Sequence, residues 1–465
     1  MTMTPEAFTA LNEIGEDQEL TLTASDYSLL TDLYELTMAA CYVGEHIEER
    51  WASFELFTRK LPEGFGYLIA MGLAQALDFL EKLQFTPQQI DALKSCEMFA
   101  HAPEQFWTLL AEGRFTGNVW AVLEGTAVFA NEPLLRVEAP LWQAQIVETF
   151  LLNTLNYQTL IATRAARMRD IAGPQAKLLE FGTRRAFSPQ ASVWAARAAI
   201  AGGLDSTSNV LAALKLGRQP SGTMAHSLVM AIATLEGEED DAFAAFQRYF
   251  PGATLLIDTY DTVAAARRIG EKMKQGEMNC QGVRLDSGDL VKLSQQVRSL
   301  LPDINIFASG DIDEWEIARL KAEGAEIDGY GIGTKLVSGT PVNGVYKLVE
   351  IDSYPVMKES SGKVTYPGRK QIYRQFQQDK MQSDYLALFD ENYQGSYPHL
   401  LPLMQLVMQQ GKRLQPPETL EEIAQRTAAS VAALPAEIRR LDQPISSPLQ
   451  VSQALQQLTE KISHH

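Results

Sequence analysis

Six short strings in this 465-residue chain put charged, aromatic or hydroxyl side chains at spacings that could do chemistry. In Gly282-Val283-Arg284-Leu285-Asp286-Ser287-Gly288-Asp289, Arg284 and Asp286 are two apart, so a strand would present both on one face. The planar fork of Arg284 matches a carboxylate ligand, and Asp286 could stabilise a developing cation or hold sugar hydroxyls. A structural Arg284–Asp286 pair, with Asp289 capping a helix, accounts for the string equally well. Leu256-Ile257-Asp258-Thr259-Tyr260-Asp261 offers two acids. Asp258 suits catalysis, and Asp261 suits the cap of a following helix. Glu180-Phe181-Gly182-Thr183-Arg184-Arg185 supplies an aromatic that could stack on a flat heterocycle and cations that could hold phosphates. A core Phe beside surface arginines is the commoner origin of such a string. Ser309-Gly310 and Gly331-Ile332-Gly333-Thr334 join glycines to hydroxyls at two successive strand ends. The last two strand loops of (β/α)8 barrels often bind phosphate, although such glycines also serve plain tight turns. In Ser221-Gly222-Thr223-Met224-Ala225-His226-Ser227, a histidine follows Ser-Gly-Thr at a helix start. A lone His is more often structural, and a nucleophilic one needs an orienting partner.

The elements that must carry these strings alternate. Apolar runs at Lys177–Phe181, Ala199–Gly203, Thr254–Ile257, Gly282–Leu285, Ile304–Ala308 and Ile327–Gly331 read as strands. Ser188–Ala198, Asp261–Gln275, Leu290–Leu300 and Asp313–Glu323 carry helical periodicity between them. Alternating β and α elements imply an α/β fold with a mostly parallel sheet, whose strand carboxyl ends place chemistry. An irregular (β/α) barrel is expected over 151–360. It follows an α+β domain over 1–150 and precedes a partly helical segment, 361–465, that packs back on the N-terminal domain. Leu141–Ile171 reads as one long helix or two joined, ended by Gly173-Pro174. Val345–Ile351 with Tyr354–Lys358 reads as a hairpin, and Leu420–Leu434 and Leu449–Lys461 as helices.

Composition narrows the partners. The net charge is -18, from 40 basic and 58 acidic residues, and no basic run appears, which disfavours nucleic acid. An anionic substrate would have to be met by a few focused Arg, Lys and backbone N–H groups. The three cysteines are scattered and form no CxxC pair, which fits a reducing cytoplasm and argues against a disulfide framework or a cysteine-built zinc site. The polar, acidic start (Glu13, Glu16, Asp17, Glu19) has no apolar signal core. No apolar run approaches the roughly 18 residues that span a bilayer. His464-His465 receives no function.

Taken in order, the strings resemble the nicotinate phosphoribosyltransferase family. The likeness runs from Leu30-Thr31-Asp32-Leu33-Tyr34 through Phe54-Glu55-Leu56-Phe57, Glu180–Arg185, Ser206-Thr207-Ser208-Asn209-Val210, Gly222–Ser227 and Val283–Asp289 to Gly331–Thr334, and reaches about Lys347. The resemblance implies formation of nicotinate mononucleotide and diphosphate from nicotinate and 5-phosphoribosyl 1-diphosphate, with Mg²⁺, in NAD biosynthesis. It implies ATP hydrolysis coupled through a phosphohistidine at His226. Arg284 and Thr223 match nicotinate-site positions, with Phe181 and Arg284 sandwiching the pyridine ring. Arg184 would face the diphosphate, and Gly310, Gly333 and Thr334 match phosphoribosyl-binding loops. Tyr34 matches a residue that the neighbouring subunit of a homodimer supplies. At Ser208, relatives using nicotinamide carry an acid that would repel nicotinate's carboxylate, so serine fits nicotinate. Asp258 and Asp286 suit the positive charge that builds on the sugar ring as the bond to diphosphate breaks.

Three other readings compete. A nicotinamide phosphoribosyltransferase is opposed by Ser208. A phosphate-binding barrel isomerase or aldolase would show a Schiff-base lysine or a Glu/His base at a strand end. A non-catalytic pyridine-nucleotide sensor would not retain His226, Arg284 and Asp286 together.

Overall fold

A computed structural model describes residues 22–358, 365–391, 399–445, 447 and 449–463. The acidic N-terminal stretch and the terminal histidine pair lie outside them. The chain divides into two compact units. One holds the described residues up to Thr159, Pro341–Thr419 and those from Ala432 onward; the other holds Leu160–Thr340 with Leu420–Val431.

The first unit is built on a seven-stranded sheet. Its spatial order is Tyr354–Pro355, Gly344–Ile351, Trp51–Thr58, Pro133–Pro140, Asn118–Val122, Met404–Gln409 and Lys412–Arg413, with antiparallel neighbours throughout. Trp51–Thr58 and Pro133–Pro140 sit side by side at its centre, and all sixteen of their residues except Trp51 are buried. A four-stranded sheet follows the order Leu400–Pro402, Lys370–Gln377, Lys380–Leu388, Leu449–Val451. The tail stretch read as one helix from Leu449 is therefore strand first and helix only over Gln453–Ser463. Leu141–Ile171 resolves into two joined helices, Leu141–Ile146 and Glu148–Ala172.

The second unit carries six parallel strands, numbered here within their own sheet: β1 (Lys177–Glu180), β2 (Ser206–Thr207), β3 (Leu255–Leu256), β4 (Gly282–Leu285), β5 (Asn305–Ser309) and β6 (Gly329–Ile332). Their spatial order is β2-β1-β6-β5-β4-β3, so the last strand pairs with the first. No ladder joins β2 to β3 among the described residues. The α/β alternation expected from the sequence is present. Helices follow the strands, and Ser188, Asn209, Asp261, Asp289 and Asp313 each cap one by accepting the N–H three residues on.

One strand expectation fails. Ala199–Gly203 finishes the helix Pro189–Ala201 and its turn, and the strand is the two-residue Ser206–Thr207. An alanine-rich apolar run satisfies strand and buried helix alike, and alanine has the highest helix propensity. Here Ala195, Ala196, Ala198, Ala199 and Ala201 are all fully buried.

Candidate active site

Side chains alternate across β1, so Leu179 and Phe181 turn to one face. With Ser206, Gly222, Arg284 and Gly331 they line a cavity of about 390 Å³. Gly331 is required beside the aromatic, because a Cβ there would lie 2.5 Å from the Phe181 ring. The Arg284 guanidinium lies 6.0 Å from the centroid of that ring. Its Nη1 donates to Thr223 Oγ1 at 2.6 Å and its Nη2 to the Met224 carbonyl at 3.0 Å. Its Nε is buried with no acceptor among the described residues. Burial pulls the guanidinium pKa down, while Asp286 and Asp258 pull it up. The structural Arg284–Asp286 pair that the spacing also allowed does not form: no carboxylate lies within ion-pair distance of Arg284 among the described residues. A cation held by a hydroxyl and a carbonyl, with a donor to spare beside an aromatic face, suits a planar carboxylate ligand.

The carboxyl ends of β3, β4 and β5 are linked by two acids. Asp258 Oδ2 accepts from the Asp286 N–H at 2.9 Å and from Ser287 Oγ at 2.6 Å. Asp286 Oδ1 accepts from Ser309 Oγ. Asp258 Oδ1 is buried and has no donor among the described residues. His226 begins the helix His226–Glu236 and places Nε2 3.9 Å from Asp258 Oδ1. Its Nδ1 meets Thr259 Oγ1 at 3.0 Å, which is the orienting partner that the sequence could not reveal. Gly310 has φ +90°, and a Cβ there would come within 2.5 Å of the Asp286 carbonyl. The backbone at this loop must therefore pass close to β4.

The remaining expected residues sit apart from this centre. Arg184 is exposed in the turn Thr183–Arg185. Gly333 is half-buried behind Phe181, and Thr334 is exposed at the start of the four-residue helix Thr334–Val337. Ser208 is half-buried, with its Cβ 4.0 Å from where a Cβ on Gly222 would stand; the cavity wall itself carries Ser206. Tyr34 belongs to the other unit, is 44% exposed, and hydrogen-bonds Glu148 through its hydroxyl. Thr259 and Ser287 were not singled out from the sequence. Their signal was present: each is a hydroxyl residue directly after a strand-end acid, in Asp258-Thr259 and Asp286-Ser287. No group of three or more His, Cys, Asp or Glu among the described residues could cage a metal ion.

Comparison with known proteins gives the family. The nicotinate phosphoribosyltransferase family description matches residues 176–385, flanked by matches to that family's N-terminal domain over 29–156 and C-terminal domain over 397–459. Nicotinate phosphoribosyltransferase pncB2 of Mycobacterium tuberculosis is 40% identical, covering 91% of each chain. The Bacillus subtilis enzyme of the same name is 42% identical over 78% of this chain and 76% of its own. The crystal structure of human nicotinic acid phosphoribosyltransferase superposes with a TM-score of 0.82 at 30% identity, covering 93% of this chain and 99% of that one. A catalytic-looking cluster at parallel strand ends and likeness along nearly the whole chain lead to one assignment: the chain belongs to the nicotinate phosphoribosyltransferase family.

Proposed function

We propose that the parallel-sheet unit is a (β/α) barrel open between β2 and β3, and that its cavity joins nicotinate to 5-phosphoribosyl 1-diphosphate in NAD biosynthesis, with ATP hydrolysis coupled through His226. One observation carries this reading: a half-buried cation without a counter-ion stands beside an aromatic ring in one cavity, and two acids and a histidine cluster at the neighbouring strand ends. Phe181 and Arg284 would hold the pyridine ring and its carboxylate. The ring nitrogen attacks C1 of the sugar without first losing a proton, so no strong base is needed. As the bond to diphosphate breaks, Asp258 and Asp286 stabilise the positive charge developing on the sugar. Arg184 meets the diphosphate, and Ser309, Gly310, Gly331, Gly333 and Thr334 serve the phosphoribosyl phosphate. Ser208 leaves room for a carboxylate where an acid would repel it. Phosphorylation of His226 adds roughly -1.5 to -2 charges, by analogy with other phosphorylated side chains.

Mg²⁺ fits the donor set. It is commonly held by one or two carboxylates plus substrate phosphates, and the orphaned buried Oδ1 of Asp258 supplies one such oxygen beside Asp286. When bound it would neutralise charge on the leaving diphosphate. Tyr34, exposed in the antiparallel unit, would complete the site of a second copy in a homodimer. The catalytic stretch corresponds to 151–360, which holds every proposed site residue except Tyr34. Three free cysteines favour a cytoplasmic setting, and no helix among the described residues is long and apolar enough to cross a membrane.

The test is one assay series: nicotinate, nicotinamide and quinolinate, each with 5-phosphoribosyl 1-diphosphate, with and without ATP, for the parent and His226→Ala. Activity is expected with nicotinate only, raised by ATP in the parent and indifferent to ATP in the variant. Strong ATP stimulation of His226→Ala would exclude His226 as the phosphorylated residue, and turnover of nicotinamide at the nicotinate rate would overturn the substrate reading.

A further inference from the structure

Behind the cavity wall lies a buried carboxylate that the proposed chemistry does not use. Glu180 is 1% exposed, and no cation reaches it among the described residues. Burial pushes its pKa up, opposed only by hydrogen bonds from Thr207 and Gly182. Its side chain points away from the cavity, because Leu179 and Phe181 on either side of it point in. The same alternation holds on the neighbouring strand. Glu180 registers with Thr207 and Leu179 with Ser206, so Thr207 shares the outer face and Ser206 the cavity face.

The hydrogen bonds fix specific backbone points. Glu180 Oε1 accepts from the Gly182 N–H, and Oε2 accepts from Thr207 Oγ1. Thr207 Oγ1 itself accepts from the Asn209 N–H at 2.9 Å, so its one proton is committed to Glu180. Asn209 then caps the helix Val210–Lys215 through the Ala212 N–H at 3.0 Å and donates to Ser192 Oγ at 3.2 Å. The Ser208 N–H donates to the Glu180 carbonyl at 2.9 Å. Two cavity-lining residues thus sit beside clamped neighbours: Phe181 between Glu180 and Gly182, and Ser206 next to Thr207.

We infer that Glu180 and Thr207 form a positioning pair, which sets the spacing between the Phe181 ring and the Ser206 wall and so governs how tightly the pyridine substrate is held, without touching it. The inference rests on the proposed function for what occupies the cavity. A carboxylate held only by neutral donors is costly to bury, and it repays that cost by rigidity at the strand ends it joins. A displacement of even about 1 Å at a binding wall is enough to be read in kinetics.

Thr207→Val keeps the shape and removes both hydrogen bonds; Thr207→Ser keeps the hydroxyl. Steady-state kinetics should be measured for both and for Glu180→Gln, varying nicotinate and 5-phosphoribosyl 1-diphosphate separately, with thermal unfolding alongside. Thr207→Val is expected to raise the nicotinate KM about tenfold while kcat and the KM of the phosphoribosyl donor stay within about twofold. Thr207→Ser should return the nicotinate KM to within about twofold of the parent, and Glu180→Gln should change it in the same direction as Val. The proposal is overturned if kcat and both KM values move together, if a folded Thr207→Val keeps the parental nicotinate KM, or if serine fails to rescue. Should Thr207→Val not fold, Glu180→Gln decides by the same split. A parent that turned over no nicotinate would instead overturn the proposed function.

Discussion

In the antiparallel unit, Arg374 meets Asp384 through two parallel hydrogen bonds, Nε at 2.8 Å and Nη2 at 2.6 Å. Lys370 closes on Glu55 at 2.8 Å, and Arg136 on Glu138 at 2.7 Å. All six side chains are nearly or fully buried. In the parallel-sheet unit one buried pair is built the same way, Arg167 on Glu314 at 2.9 Å, but Arg284, Asp258 and Glu180 have no such partner. Arg284 leans on a hydroxyl and a carbonyl, Asp258 on an N–H and a hydroxyl, and Glu180 on the same two kinds of donor. A charge met by its opposite is satisfied without a ligand and holds sheets together. A charge met only by neutral dipoles still has electrostatic work to offer, and such groups gather where ligands bind.

The comparison breaks first at Asp384. Asp384→Ala strands the Arg374 guanidinium in the interior, which should cost about 3–5 kcal/mol of stability in urea unfolding. The double variant Arg374→Met/Asp384→Leu removes that lone cation and should recover part of it, while the buried Glu132 carboxyl beside the pair loses the cation that draws its pKa down. If the double variant were as unstable as the single, the pair would be more than a matched buried charge. Arg284→Ala should do the reverse. We expect kcat/KM for nicotinate to fall about 100-fold, near 2.7 kcal/mol, with the unfolding temperature unchanged or raised, because a half-buried cation without a counter-ion is removed. A large loss of stability in Arg284→Ala would place it among the structural charges and undo the contrast.

Legibility in the sequence follows the same division. Gly282–Leu285 and Leu290–Leu300 are found at the residues that their apolar periodicity gives. A short β-rich run followed by an Asp cap leaves little ambiguity. Arg284, Phe181 and Gly331 line one cavity because two-residue alternation on parallel strands turns them to the same face, and that rule is readable from spacing. The two-residue strand Ser206–Thr207 was not readable, since nothing so short has a period. Its position depends on pairing with Glu180, a long-range contact. Thr259 and Ser287 stand directly after strand-end acids in the sequence, but that they meet His226 and Asp258 is not readable from it. Their roles depend on how neighbouring strand ends are spaced, and that is set by packing.

Glu35 tests whether the contrast is one of location or of chemistry. It lies in the antiparallel unit, fully buried, beside Tyr34. Its donors are nevertheless neutral: the Thr149 N–H at 3.0 Å, Thr149 Oγ1 at 2.6 Å, and Thr31 Oγ1. Burial pushes its pKa up from 4.5 to about 7, and those hydrogen bonds offset only part of the rise. Between these two values the folded state binds more protons than the unfolded chain. Stability is therefore greatest below the lower value and falls as pH rises through the higher one, by at most about 3 kcal/mol. Glu35→Gln removes the titration and keeps a hydrogen-bonding side chain. Urea unfolding at pH 5 and pH 8 should show the parent losing more stability across that interval than the variant, by about 1–3 kcal/mol. Equal losses would mean that Glu35 is ionised at both pH values at no cost, and then neutral donors alone can satisfy a buried carboxylate in this protein. That outcome would weaken the case for Glu180 as well, because the two acids are held in the same way.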